Sequence, residues 1–341
     1  MQNRLSPGPL LNHKGELYEA GYATSLVRRY ERAAIKGGAA RIKEWDYYLI
    51  QNGRYGVALT IADNSYMGMI SVSFLDFEAK TEKTVSPMFW LPFGSTHFPA
   101  DSSGDVFKRI GNTTASFTNE NCGRWLLVHM DKFDGDQAFD CRILLSDPPQ
   151  DTMVIATPFS EKKTAFYYNQ KIIGMRASGS FTIGGVTRTF EPEDSFGLLD
   201  WGRGVWTYDN TWYWGAGQGI VDGHRFGFNI GYGFGDVSAA SENMLFVDGV
   251  HNKLDRLTFN IPLKDGKEDY LSPWTFSSND GRFETAFTPF LDRAAYTSVG
   301  PLLSDQHQVF GHMDGFVTLD DGSKLELKHF LCFAEKVHNK W

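Results

Sequence analysis

Three short words recur in the same order in the two halves of this sequence, and such a repeat limits the chain to architectures that can be built twice. Arg54-Tyr-Gly-Val-Ala-Leu is answered by Arg225-Phe-Gly-Phe-Asn-Ile, Val154-Ile-Ala-Thr-Pro-Phe159 by Thr285-Ala-Phe-Thr-Pro-Phe290, and Gly179-Ser-Phe-Thr-Ile-Gly-Gly by Gly315-Phe-Val-Thr-Leu-Asp-Asp-Gly. The step from Gly179 to Trp206 is 27 residues and that from Gly315 to Trp341 is 26. At 341 residues the chain also exceeds what one core usually serves, since single cores stop growing near roughly 250 to 300 residues. The sequence therefore divides into an N-terminal segment of loop and short helix, 1–43, a first copy over 44–206 and a second over 207–341, which is expected to carry the functional site.

The repeated unit reads as β structure. From Trp45 onward, short runs rich in Val, Ile, Thr and aromatic residues alternate with Gly, Pro, Asn and Asp, and Asn52-Gly53 is a tight hairpin signal. With 27 Phe, 14 Tyr, 9 Trp and 35 Gly, the composition suits pleated sheets joined by tight turns. The expected fold is all-β, with two tandem lipocalin-like antiparallel barrels and one short helix, Leu26 to Lys36, capped by Ser25 and closed by Gly37-Gly38. The Pro/Gly/Ser-rich stretch Ser86 to Gly104 reads as a surface insertion or a lid.

Several functions are excluded early. A net charge of -8 spread along the chain gives no electrostatic footprint for nucleic acid. No run approaches the roughly 20 apolar residues of a membrane span. The N-terminal sequence lacks a basic segment followed by an apolar one, which predicts a cytoplasmic protein. Cys122, Cys141 and Cys332 are scattered, with no CxxC, and read as reduced thiols. His307 and His312, five apart, fall on opposite faces of a regular strand, so no metal site is expected. HExxH, Walker, GxSxG and dinucleotide fingerprints are missing, and no cofactor is expected.

Comparing the copies isolates what the shared architecture does not explain. Tyr55, Val57, Leu59 and Ile61 match Phe226, Phe228, Ile230 and Tyr232 on one strand face, which reads as packing. On the opposite face Ala58 and Thr60 become Asn229 and Gly231, followed by a Gly-rich stretch with Tyr232, Asp236, Glu242 and Asn243. The other departure is Asp200-Trp201-Gly-Arg203-Gly-Val-Trp206, followed by Trp212 and Trp214. Its counterpart, running from Glu335 to Trp341, keeps the acid and the final Trp, so those two positions read as shared architecture.

Asp200, Asp236 and Glu242 are the candidate acids, because a carboxyl walled by Trp has its ionised form disfavoured and can give up a proton near neutral pH. Trp201, Arg203, Trp206, Trp212, Trp214, Asn229, Tyr232 and Asn243 are the candidate ligand contacts, suited to a ring-containing or anionic small molecule. The reading is a small-molecule enzyme using acid/base chemistry, of hydration, isomerisation, cyclisation or lyase type. A non-catalytic binding protein for an apolar or aromatic ligand, and a carbohydrate-binding or -cleaving protein, stand as alternatives. The sequence does not set an oligomeric state.

The words Arg41-Ile-Lys-Glu-Trp45-Asp-Tyr-Tyr, Phe196-Gly-Leu-Leu-Asp-Trp-Gly-Arg-Gly-Val-Trp206, Trp212-Tyr-Trp-Gly and Gly231-Tyr-Gly-Phe-Gly resemble a bacterial family called domain of unknown function 2804, over nearly the whole chain. That resemblance implies no activity. More distantly, two consecutive lipocalin-like barrels with a Trp-rich junction resemble carotenoid hydratases and tocopherol cyclases, which handle isoprenoid-type molecules. This implies a fold, and no catalytic residue is carried over from it.

Overall fold

The computed structural model describes residues 2–341, and from Ile42 onward the alternating runs become antiparallel strands. In the first sheet the main path uses β1 (Ile42–Gln51), β2 (Tyr55–Asp63), β3 (Met67–Asp76), β4 (Thr81–Val85), β5 (Val106–Ile110), β6 (Thr113–Glu120), β7 (Gly123–Asp134), β8 (Gln137–Ser146), β9 (Phe166–Ile183) and β10 (Phe196–Val205), ordered β4-β3-β2-β1-β10-β9-β8-β7-β6-β5. The second uses β11 (Asp209–Val221), β12 (His224–Tyr232), β13 (Met244–Val247), β14 (Val250–Lys253), β15 (Leu257–Asn260), β16 (Trp274–Ser278), β17 (Phe283–Val299), β18 (Leu302–Thr318) and β19 (Lys324–Lys340), ordered β14-β13-β12-β11-β19-β18-β17-β16-β15. In both, the first strand of the unit pairs with its second and with its last. The duplication is thus a duplication of topology, and the fold is two tandem lipocalin-like barrels.

Register tests the repeated words one by one. Gly179 and Gly315 occupy the same place, each with positive φ (+123° and +143°) and each so close to the neighbouring strand that a Cβ would meet a carbonyl oxygen at 2.2 Å and 2.4 Å. Only glycine fits both conditions. Gly179 pairs with Ile143 on β8, and Gly315 pairs with Thr285 on β17. The counterpart of Thr285 is therefore Ile143, and not Val154 as the matched words suggested; Val154 lies on an extra strand, Met153–Pro158, laid along the other end of β9.

Each barrel has its own core. Tyr48, Ile50, Val57, Leu59, Phe117 and Leu126 are buried in the first, and Phe226, Phe228, Ile230, Phe276, Phe283 and Phe287 in the second. The opposite faces of β1, β9 and β10 meet those of β11, β18 and β19, and the larger apolar cluster runs across this junction to include Trp214, Phe310 and Phe333.

The expected helix over Leu26 to Lys36 does not form. Arg28–Arg29 is a two-residue strand and Arg32–Ala34 a single 3₁₀ turn. An isolated helix of that length is marginal in water, and here side-chain anchors hold the segment extended: Arg28 pairs with Glu19, Tyr30 donates to Glu44 at 2.8 Å, and Arg32 pairs with Glu44. The Ser86 to Gly104 stretch is likewise fastened to the first barrel, where Pro99 O and Ser102 O accept from Arg203 and Arg124 and Gly94 donates to Asp63. None of its residues lines the junction cavity described next. Cys141 and Cys332 are buried and Cys122 is exposed, all three as free thiols.

Candidate functional site

A cavity of about 230 Å³ lies where the two barrels meet. Strand pairing carries one transverse row of residues to it from each half. In the first, Lys171 pairs with Asp200, Asp200 with Tyr47, and Tyr47 with Thr60. In the second, Gln308 pairs with Glu335, Glu335 with Trp214, and Trp214 with Gly231. The rows are equivalent by topology, so Asp200 and Glu335 are the same position in two copies. All of these residues except Gly231 line the cavity. Further along the same strands, Trp45 corresponds to Trp212 and Trp206 to Trp341, and Trp206 and Trp341 stack at 6.3 Å across the junction.

The polar floor holds three carboxyls. Asp200 pairs with Lys171 at 2.9 Å and accepts from Asn169 at 2.6 Å, both on Oδ1. The Lys171 ammonium lies 3.7 Å from the centre of the Trp214 ring. Glu335 accepts from Trp212 Nε1 at 3.0 Å and from Gln308 Nε2 at 3.2 Å, and burial pushes its carboxyl up from 4.5 to about 7 against the opposing effect of the Trp212 bond and of the Lys171 and Arg293 charges. Glu242 is raised as well, chiefly by burial. Asn229 holds it at 3.0 Å while accepting from Trp214 Nε1 at 2.7 Å. Gly231 makes room for Glu242, because a Cβ there would lie 2.7 Å from Glu242 Oε1. The aromatic wall comprises Trp45, Tyr47, Tyr167, Trp206, Trp212, Trp214, Phe234 and Trp341. Trp206 Nε1, Trp341 Nε1 and Asn339 Oδ1 are buried without a protein partner.

The structure thus brings together Asp200, Glu242, Trp206, Trp212 and Trp214, with Asn229 directly behind them. Other candidates lie elsewhere. Asp236 is exposed, accepts from the Ser238 backbone at 2.9 Å and is held below the usual carboxylate range by its bonds to Ser238. Trp201 and Arg203 face the interior of the first barrel. Trp201 packs edge-on against Tyr168 at 5.7 Å, and Arg203 pairs with Asp46 at 3.1 Å. Alternation along a strand forbids Asp200 and Trp201 from sharing a face. Tyr232 stacks on Tyr213 at 4.5 Å on the core side of β12. Asn243 accepts from Gly231 N at 2.7 Å and donates to Asp255 O at 2.7 Å, which anchors the loop that carries Glu242.

Sequence reasoning missed Lys171, Arg293, Gln308 and Glu335, and placed the site at the junction from Asp200 to Trp214 and in the second copy. From the sequence Glu335 reads only as the second-copy counterpart of Asp200. Recurrence was in fact its signal, since both copies turn the same face toward one cavity. Among the described residues no group of three metal-ligating side chains converges, and no helix is long and apolar enough to cross a membrane.

Twin barrels enclosing a cavity at their junction define a lipocalin-like double-barrel protein. The chain belongs to the family Domain of unknown function (DUF2804), whose model matches residues 2–341. No curated protein matches the sequence. A structure assigned as AttH from Nitrosomonas europaea is similar with a TM-score of 0.52 and 11% identity, over 88% of this chain and 92% of that one, and it shares the fold. Kievitone hydratase from Nectria haematococca aligns with a TM-score of 0.48 and 11% identity over 100% and 97% of the two chains. CghA with Sch210972 aligns at 0.40 and 10% over 98% and 97%.

Proposed function

We propose that the protein is an enzyme that moves protons on an apolar, ring-containing small molecule, by hydration, dehydration or isomerisation. The observation that carries this reading is Glu335, a buried acid held at about 7 on the floor of an aromatic cavity. A general acid works best when its pKa lies near the working pH. Burying three carboxyls is costly, and a cavity serving only to hold an apolar ligand would gain nothing from them. In size the cavity suits a one- or two-ring molecule, given that an apolar cavity of about 150 Å³ already holds benzene.

Glu335 is the general acid. Asp200, whose Oδ2 is free of the bonds made by Lys171 and Asn169, is the acceptor. In one turnover a proton leaves Glu335 for the substrate, and another leaves the substrate, or a water adding to it, for Asp200. Solvent then restores both carboxyls, so no oxidant or other reagent is consumed. Lys171 offsets the charge on Asp200, and the Trp walls keep bulk water from the reacting atoms.

The test begins with apolar cyclic alkenes, enones and alcohols screened by quenching of Trp fluorescence, followed by mass spectrometry of every bound compound. Turnover is expected for at least one, falling as pH rises through about 7. Glu335→Gln is expected to lower kcat by about 10² to 10⁴-fold while ligand still quenches fluorescence. Unchanged turnover in Glu335→Gln, or binding with no product across the panel, would overturn the reading, the second result in favour of a binding protein.

A further inference from the structure

The cations at the cavity are not equivalent. Lys171 is paired with Asp200. Arg293, on β17, also lines the cavity, yet among the described residues no carboxylate lies within ion-pair distance of it. Its guanidinium makes two bonds, from Nη1 to Gln308 Oε1 at 2.8 Å and from Nε to Thr84 Oγ1 on β4 at 3.3 Å. Nη2 and the second Nη1 proton are left for another acceptor, and the fork geometry of a guanidinium favours a carboxylate there. Gln308 in turn donates to Glu335 at 3.2 Å, so one side chain separates the free cation from the general acid.

Among the charged side chains that line the cavity, Lys171 and Asp200 are matched to each other, whereas Arg293 has no carboxylate of its own.

We propose that the ligand of this cavity is an apolar ring-bearing acid whose carboxylate, or an equivalent oxyanion, is gripped by Arg293 at a distance set by Gln308 from the reacting end beneath Glu335. This rests on the junction cavity as the functional site. Arg293 thereby fixes which atoms of the ligand meet the acid.

The experiment compares matched acids and methyl esters of two-ring and one-ring compounds (2-naphthoate, 3-phenylpropionate, cyclohexylacetate) by Trp fluorescence and calorimetry at pH 7.5. At least one acid is expected to bind about tenfold tighter than its ester, as a charge-assisted hydrogen bond would give. Arg293→Gln is expected to abolish that preference and leave the ester's Kd within twofold, with Arg293→Lys intermediate and thermal melts confirming that both variants fold. Equal binding of every acid and ester, no binding of any acid, or a preference that survives Arg293→Gln would overturn the proposal. Acid-selective binding without product in any pair would uphold Arg293 as the anchor while counting against the catalytic reading, so the two can fail separately.

Discussion

At the residue scale the molecule separates groups that share a chemistry by the company they keep. Asp236 and Glu242, six positions apart, have opposite fates, because one caps an exposed turn and the other enters a cavity through the space left by Gly231. Glu335 has a consequence beyond the proposed catalysis. Its carboxyl ionises at about 7 when folded and near 4.5 ordinarily, so the folded protein holds more proton than the unfolded chain between those values. Stability from this group is whole below about 4.5 and is lost as pH rises through about 7, by roughly 3 kcal/mol at most. Urea titrations of wild type between pH 5 and 8 should therefore show stability declining with pH, and Glu335→Gln should flatten that decline. Arg203 was legible as unusual but not as misplaced, and period-two alternation alone would have moved it and Trp201 to the barrel interior.

At the scale of elements, the junction depends on close approach between strands. A Cβ at position 231 would meet both Glu242 Oε1 at 2.7 Å and the Tyr213 carbonyl at 2.8 Å, and the backbone oxygen cannot swing aside. Gly231→Ala should destabilise the protein by about 1 to 3 kcal/mol, and by displacing Glu242 it should alter ligand affinity. Gly53→Ala, where a Cβ meets nothing within 4 Å, should change the melting temperature little. Strand faces were readable in advance: Val57, Leu59, Phe226, Phe228 and Ile230 are buried as alternation predicts, with Ala58, Asn229 and Gly231 on the other side. The pairing of Lys171 with Asp200, or of Gln308 with Glu335, was not readable, because each joins residues far apart in the chain and the register shifts beside them, at Gly174 and Gly315, are marked by glycines that do not say how many residues are looped out.

At the scale of the whole molecule, the repeat made the topology legible and hid the site. Features common to both copies looked like scaffold, a sound inference for two barrels that work separately. These two work face to face. Trp214, Phe234, Phe310 and Phe333 of the second half belong to the apolar cluster of the first, so residues 207–341 expressed alone should expose that surface and bind a hydrophobic dye, whereas co-expression with 1–206 should restore a soluble pair. Recovery of 207–341 as a folded monomer without dye binding would contradict this. Two identical chains meeting across an exact twofold axis would offer the same acid twice, in the same surroundings and the same protonation state. Joining unlike copies in one chain breaks that tie: the position occupied by Asp200 sits beside a lysine and its twin, Glu335, beside a glutamine, so a repeated scaffold can hold a proton on one side and accept one on the other.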